Sequence, residues 1–172
     1  MSYTTMVYQV DSGKIEQLWG SKNRVFLDEF MVKYKKDIEE QANWFQIETH
    51  DYRDCLLDII NGEITKDQKY NYVYGYLYQM MCVDFGEQIE RDDFLSYLSE
   101  VTDGDFKVFI PIPSSNDWPD IYSVKHSELD KAKILFIDNA PDYEMGDIYV
   151  DEINYVFKAA SENNKDLVFI NH

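Results

Sequence analysis

Three histidines, His50, His126 and His172, and two cysteines, Cys55 and Cys82, are the side chains from which a metal centre or a nucleophilic pair would have to be built. A zinc site needs several ligands converging at bond distance, and helical ligand pairs sit about three or four residues apart. No histidine lies that close to another or to a cysteine, so no metal is expected, and each reads more simply as a surface or capping residue. Six acids, Asp138, Asp142, Glu144, Asp147, Asp151 and Glu152, crowd one loop and the start of the following helix. A calcium loop requires carboxylates at alternating positions, a glycine at the sixth and a closing glutamate, and this spacing fails that test. Acids in a first helical turn complement the positive end of its dipole, so a solvated face accounts for them. No serine has the glycines of a nucleophile elbow, and no glycine run cradles phosphate. A cysteine–histidine pair would have to meet through the fold, and both cysteines lie in core-like stripes where a thiol packs as a small hydrophobe. These residues predict neither a cofactor nor a catalytic constellation, and the chain leans away from being an enzyme.

The stretch that stands out is residues 111–122, PIPSSNDWPDIY. Its prolines stiffen the chain, so side chains there are held with little ordering cost. Trp118 lies between Asp117 and Pro119, an aromatic beside carboxylates as in a contact anchor. The competing reading is a lid, with Trp118 folded back over the core and its indole donating to a carbonyl. Asp117, Trp118, Asp120 and Tyr122 are the candidate binding residues of this loop. Tyr74 and His172 are the distant residues that would complete a pocket with it.

The elements that must position these groups follow from hydrophobic spacing. A first strand is expected from Tyr3 to Val10, closed by Asp11, Ser12 and Gly13. Ile15, Leu18 and Trp19 form a short helical stripe ended by Gly20. One long helix is expected over about residues 23–42, with Phe26, Leu27, Phe30, Met31, Tyr34 and Ile38 on one face. Glu29 with Lys33 and Lys35 with Glu39 are supporting pairs on its outside. Tyr52, Leu56, Ile59 and Ile60 give a second helix ending at Asn61 and Gly62, and Thr65 with Gln68 reads as a capping box opening a third. Over residues 70–86 the tyrosines at 70, 72, 74, 76 and 78 recur at strand spacing, whereas Tyr70, Val73, Tyr74, Leu77 and Met81 recur at helical spacing. The unbroken length favours helix. Gly75 within it costs about 1 kcal/mol relative to alanine and permits close approach of a neighbouring backbone.

A short helix is expected around Phe94, Leu95, Leu98 and Val101, then a turn at Asp103, Gly104 and Asp105, and a strand over residues 106–110. Residues 111–119 are loop, 121–124 a short strand, and Ser127 with Asp130 caps a helix to about Ile137. After a loop over 139–146, Val150, Ile153, Val156, Phe157 and Ala160 mark a last helix ending near Asn163 and Asn164, and residues 167–170 a last strand. The fold class expected is α+β, a small sheet from N-terminal and C-terminal strands packed against a helix-rich middle, in a single domain over residues 1–172.

Composition narrows the function classes. A chain of 172 residues, 45% hydrophobic, suffices for a core without covalent staples, since a fold of this size hides roughly 70% of its extended-chain surface. Thirty-three acidic residues against 16 basic ones give a net charge of −17. Such a surface repels nucleic-acid phosphates and anionic lipid headgroups, which are bound through clustered lysine and arginine. It favours a basic protein partner, cations, or simple solubility. The opening MSYTTMVYQVDSG lacks the basic region and apolar run of a signal peptide. The longest uncharged stretch, residues 70–83, is too short to span a bilayer. Two cysteines make no disulfide framework, and the setting expected is the cytoplasm.

The opening MSYTTMVYQV…IEQLWGSKN, the central YGYLYQMMCVDFGE, the loop PIPSSNDWPDIYSV and the ending DLVFINH resemble a family of small bacterial proteins of unknown function. That family is in turn similar to the YfbM-like proteins, which share a first strand followed by a short helix and a final helix followed by a last strand. The resemblance implies an α+β fold and a bacterial cytoplasmic setting, and it carries no active site. Two functions from different classes are therefore expected. The leading one is a non-catalytic protein-interaction domain, for example an immunity-type protein, whose acidic surface docks onto a basic protein. The alternative is a small hydrolase or small-ligand-binding protein with a pocket assembled from distant residues such as His172, Asp117 and Tyr74. Oligomeric state is not legible at this level.

Overall fold

The computed structural model describes residues 5–89, 107–114, 119–138 and 146–172. In chain order the elements are β1 (Thr5–Val10), α1 (Ser12–Leu18), α2 (Arg24–Lys33), α3 (Lys35–Phe45), α4 (Thr49–Asn61), α5 (Asn71–Phe85), β2 (Gly86–Gln88), β3 (Asp120–Val124), α6 (Leu129–Asp138), α7 (Gly146–Glu162) and β4 (Asp166–Asn171). The strands form an antiparallel sheet in the order β2-β1-β4-β3. The fold is α+β, and its two central strands come from opposite ends of the chain, Thr5 lying opposite Asn171 and Val10 opposite Asp166.

Because successive side chains point to opposite faces of a strand, each of β1 and β4 serves two cores. Tyr8, Val10, Val168 and Ile170 pack with α1 to α5, whereas Val7, Leu167 and Phe169 pack with α6 and α7. On the second face Phe136 stacks on Phe169 with ring centres 5.2 Å apart, and Phe157 closes on both rings. Both faces of β4 are covered, which is why it reads as a nearly unbroken apolar run rather than an alternating one.

Helix α5 lies at the centre of the larger core, with Val73, Tyr74, Leu77, Tyr78, Met81 and Cys82 fully buried. A helix surrounded by α1, α4 and the sheet has no polar stripe to show, and this is the origin of its ambiguous pattern. The helical expectation for this segment holds. Its start does not: α5 begins at Asn71 after a 3-10 turn over Gln68–Tyr70, and no capping box at Thr65 opens it. Thr65 turns back instead, its backbone N–H and hydroxyl both donating to the Asp58 carboxylate at 2.8 Å.

The helix expected over residues 23–42 is two helices. Asn23 caps α2, accepting from the Phe26 N–H at 3.1 Å, and the chain bends at Tyr34, where φ is −97° and ψ 17°. The Tyr34 hydroxyl lies 2.6 Å from Asp84 Oδ1 and 3.0 Å from the Met80 carbonyl, so a bond to the end of α5 overrides an uninterrupted helical pattern. Lys33 pairs with the same Asp84, while Lys35 forms the expected pair with Glu39 at 3.7 Å. The strand expected over 106–110 is absent from its described residues, 107–110; Ile110 is buried and the Phe109 N–H donates to the Tyr78 hydroxyl at 3.2 Å, so their apolar character serves packing rather than a ladder.

At the other end, α6 follows a 3-10 turn over His126–Glu128, and Asp166 accepts from the His126 N–H at 2.6 Å and the Ser12 N–H at 3.2 Å. That one carboxylate ties the entries of α1 and α6 to the start of β4. Helix α7 starts at Gly146, a turn earlier than its apolar stripe suggests, and the strand of 121–124 is observed as β3. The expectations for the helix around Phe94, the turn at Asp103 and the loop 139–146 lie outside the described residues, except that Gly146 is the first residue of α7 rather than loop. Among the described residues no helix is long and apolar enough to cross a membrane.

Candidate functional site

The tyrosines of α5 recur every second residue, and successive members are turned by about 200° around a helix. They therefore reach different neighbours. The Tyr74 hydroxyl donates to Asp58 on α4 at 2.6 Å, inside the core and sealed from solvent. Tyr78 reaches Ser123 on β3 at 3.2 Å. Tyr76 faces outward, its ring 5.6 Å from both Phe45 and the His172 imidazole, which it stacks at 30°. Tyr72 lies against Phe45 at 4.4 Å. Gly75 receives the Pro119 ring: a β-carbon there would stand 2.7 Å from Pro119 Cγ. The close approach that glycine permits is thus made by a proline ring rather than by a neighbouring backbone.

His172, just beyond β4, is half-buried, and that burial pushes its imidazole below the usual range. Its Nε2 is enclosed with no hydrogen-bond partner among the described residues. Asp120, exposed, lies opposite Asn171 at the start of β3; Tyr122, half-buried, lies opposite Phe169 and packs with the α6–α7 core. Strand alternation puts Asp120 and Tyr122 on the face away from α5, while Ile121 between them touches the Gly75 position. His172 thus meets Tyr76, Tyr74 is committed to Asp58, and Asp120 and Tyr122 look toward the other layer. These four do not converge. Asp117 and Trp118 lie outside the described residues.

Several other groups with catalytic or metal-binding chemistry are buried or engaged in internal bonds. Burial pushes the Cys55 thiol up to about 12, and burial also raises the Cys82 thiol, so neither is a ready nucleophile. Ser12 and Lys125 come within 2.8 Å, a pairing that resembles a nucleophile with its base. The same ammonium reaches Glu16 Oε1 at 2.5 Å and lies over the Phe109 ring, contacts that a cation makes. This group borders a cleft of about 280 Å³ whose charged lining comprises Lys107, Lys125, Glu16 and Glu128. His50, Asp51 and Asp54 form the one described set close enough to share a cation. The Lys66 ammonium already bridges Asp51 at 3.2 Å and Asp54 at 2.9 Å. Burial acts to raise the Asp51 carboxyl, but the bonds from Lys66 and the Glu48 N–H and the neighbouring Lys66 and His50 charges together outweigh it and hold Asp51 below its ordinary value.

The outside of the molecule is different. Among the described carboxylates only Asp51, Asp58 and Glu152 are buried, so the negative excess faces water. Trp44 is 82% exposed near the end of α3, the most exposed large apolar side chain of the described residues, followed by Val32 and Val25 on α2. Sequence reasoning missed Trp44, yet a signal was present. The buried Ile38 and Ala42 are followed by Phe45, half-buried against Tyr72 and Tyr76, which places the neighbouring Trp44 off the core-facing side.

A small antiparallel sheet packed between two helical layers, with most described carboxylates exposed, defines an α+β protein. The chain matches, over residues 1–172, the family described as a domain of unknown function (DUF7691), and it belongs to that family. No curated protein and no solved structure matches it.

Proposed function

We propose that this protein is a non-catalytic interaction domain whose acidic surface binds a basic protein. The observation that carries this reading is the placement of charge: a chain of net charge −17 keeps most of its described carboxylates exposed. A surface of that sign attracts a basic partner over a Debye length and accelerates encounter without fixing affinity by itself. An immunity-type role, in which the partner is a basic toxin, is one form of it. Two buried cysteines without a disulfide support a reducing, cytoplasmic setting. The strand–short helix opening and helix–strand close support a distant relation to the YfbM-like proteins, and with it a bacterial origin.

The test is capture of partners from the source cell at low and at high ionic strength, followed by reconstitution from purified components. A basic protein that forms a stoichiometric complex, with affinity falling as salt rises, supports the reading. A complex indifferent to salt, or substrate turnover by the isolated chain, contradicts it.

A further inference from the structure

We infer that the outer face of α3, centred on Trp44, is the surface on which the partner's arginine or lysine side chains dock. This rests on the acidic-surface reading above and assigns it a place. On α3, Asp37, Glu40 and Trp44 stand three and four residues apart and are all exposed, so they form one stripe along the helix. The stripe lies off the side that buries Ile38 and Ala42.

Three features of this face select a cation as occupant. From Asp37 to Glu48 the chain carries Asp37, Glu39, Glu40 and Glu48, all exposed, and no lysine or arginine, with Trp44 within the run. Trp44 stands in the last turn of α3, where the helix dipole presents its negative end, and that turn contains no basic residue to complement it. An indole is the best aromatic face for a guanidinium or ammonium, and tryptophan with arginine dominates the buried centres of protein interfaces. The described cations of α3 itself are Lys35, paired with Glu39 at 3.7 Å, and Lys36, paired with Glu40 at 3.6 Å, all four side chains mostly exposed. Such a pair contributes little and yields to a partner's guanidinium. An uncharged apolar partner would instead have to desolvate Asp37 and Glu40 without replacing their water.

The experiment titrates the uniformly 15N-labelled full chain with a hexa-arginine peptide at low ionic strength, following the backbone amides and the three tryptophan indole N–H signals. We expect the Trp44 indole and the amides of α3 to shift, with Trp19 and Trp118 unmoved. Trp44→Ala, at a solvent-exposed position, should keep the thermal midpoint and weaken the peptide about fivefold or more. Asp37→Asn with Glu40→Gln removes two charges from the stripe; Asp147→Asn with Asp151→Asn removes two from the exposed start of α7 and serves as its charge-matched control. The first pair should weaken binding more than the second. Equal losses from both pairs, or shifts that bypass Trp44, overturn the placement while leaving an acidic surface for a basic partner. Self-association of the chain through Trp44 without peptide also overturns it. Absence of any binding at low ionic strength contradicts the parent reading as well.

Discussion

Replacing Gly75 by alanine sets two effects of opposite sign against each other. In the interior of α5, alanine is favoured over glycine by about 1 kcal/mol, because glycine loses more backbone freedom on folding. The new methyl would stand 2.7 Å from Pro119 Cγ and 2.9 Å from Cδ, whereas its distance to Ile121 Cδ1, 3.6 Å, is an ordinary contact. Carbon atoms sit comfortably about 3.5–4.0 Å apart, so the proline ring must retreat by roughly 1 Å. A ring fused to the backbone moves only with the chain that enters β3. Overpacking of this kind costs about 1–3 kcal/mol, so Gly75→Ala should come out between neutral and about 2 kcal/mol destabilising. Urea denaturation followed by circular dichroism reads this directly. Pro119→Ala in the same background should recover part of the helix gain, giving a coupling of about 1–2 kcal/mol in the double-mutant cycle. If Gly75→Ala alone stabilised the protein by about 1 kcal/mol, with no coupling to Pro119, the seat of that ring on α5 would be wrong.

Tyr74→Phe removes the buried donor to Asp58 and should lower stability by about 1–3 kcal/mol, read as a fall in Tm. Lys66→Met leaves Asp51 and Asp54 without their cation. Asp51 is held below its ordinary value in the native state, so its contribution is present above the unfolded pKa of about 3.9 and lost as pH falls through the folded value. The stability gap between Lys66→Met and wild type should therefore narrow in acid denaturation, and a gap independent of pH would refute this. His172 titrates with the opposite consequence for the charged form: burial favours the neutral imidazole, so the unfolded chain binds the extra proton and stability declines below about pH 6.5. His172→Phe should flatten that part of the profile in chemical denaturation across pH. Cys55, its thiol pushed up to about 12 by burial, should react with a thiol reagent at pH 8 only at the rate of unfolding, as should Cys82; prompt native labelling would contradict their enclosure.

That the two ends of the chain contribute strands was legible because β1 and β4 are short, β-rich runs, whereas their place as neighbours at the centre of the sheet was not. Helix α5 was legible by its length, even though five tyrosines at even spacing mimic a strand. Elements set by distant partners were not. Nothing local announces that Tyr34 will bond to Asp84 and break a long helix, or that Thr65 will reach back to Asp58 rather than cap forward. Residues 107–110 carry strand-like side chains because they pack on Tyr78, and composition does not distinguish packing from pairing. The candidate site suffered in the same way. Tyr74 and His172 were picked for their chemistry, yet the helical turn between Tyr74 and Tyr76 sends one to a buried carboxylate and the other to the imidazole. Trp44 was available to the same helical arithmetic, but the stripe had to be followed to Phe45, three residues beyond the boundary drawn for that helix.

Stopped-flow association of the chain with its purified partner, at low and at physiological ionic strength, tests the claim that surface charge is the working feature of this protein. We expect the association rate to fall about tenfold or more as salt rises while the dissociation rate changes little. An association rate that does not respond to salt would contradict it.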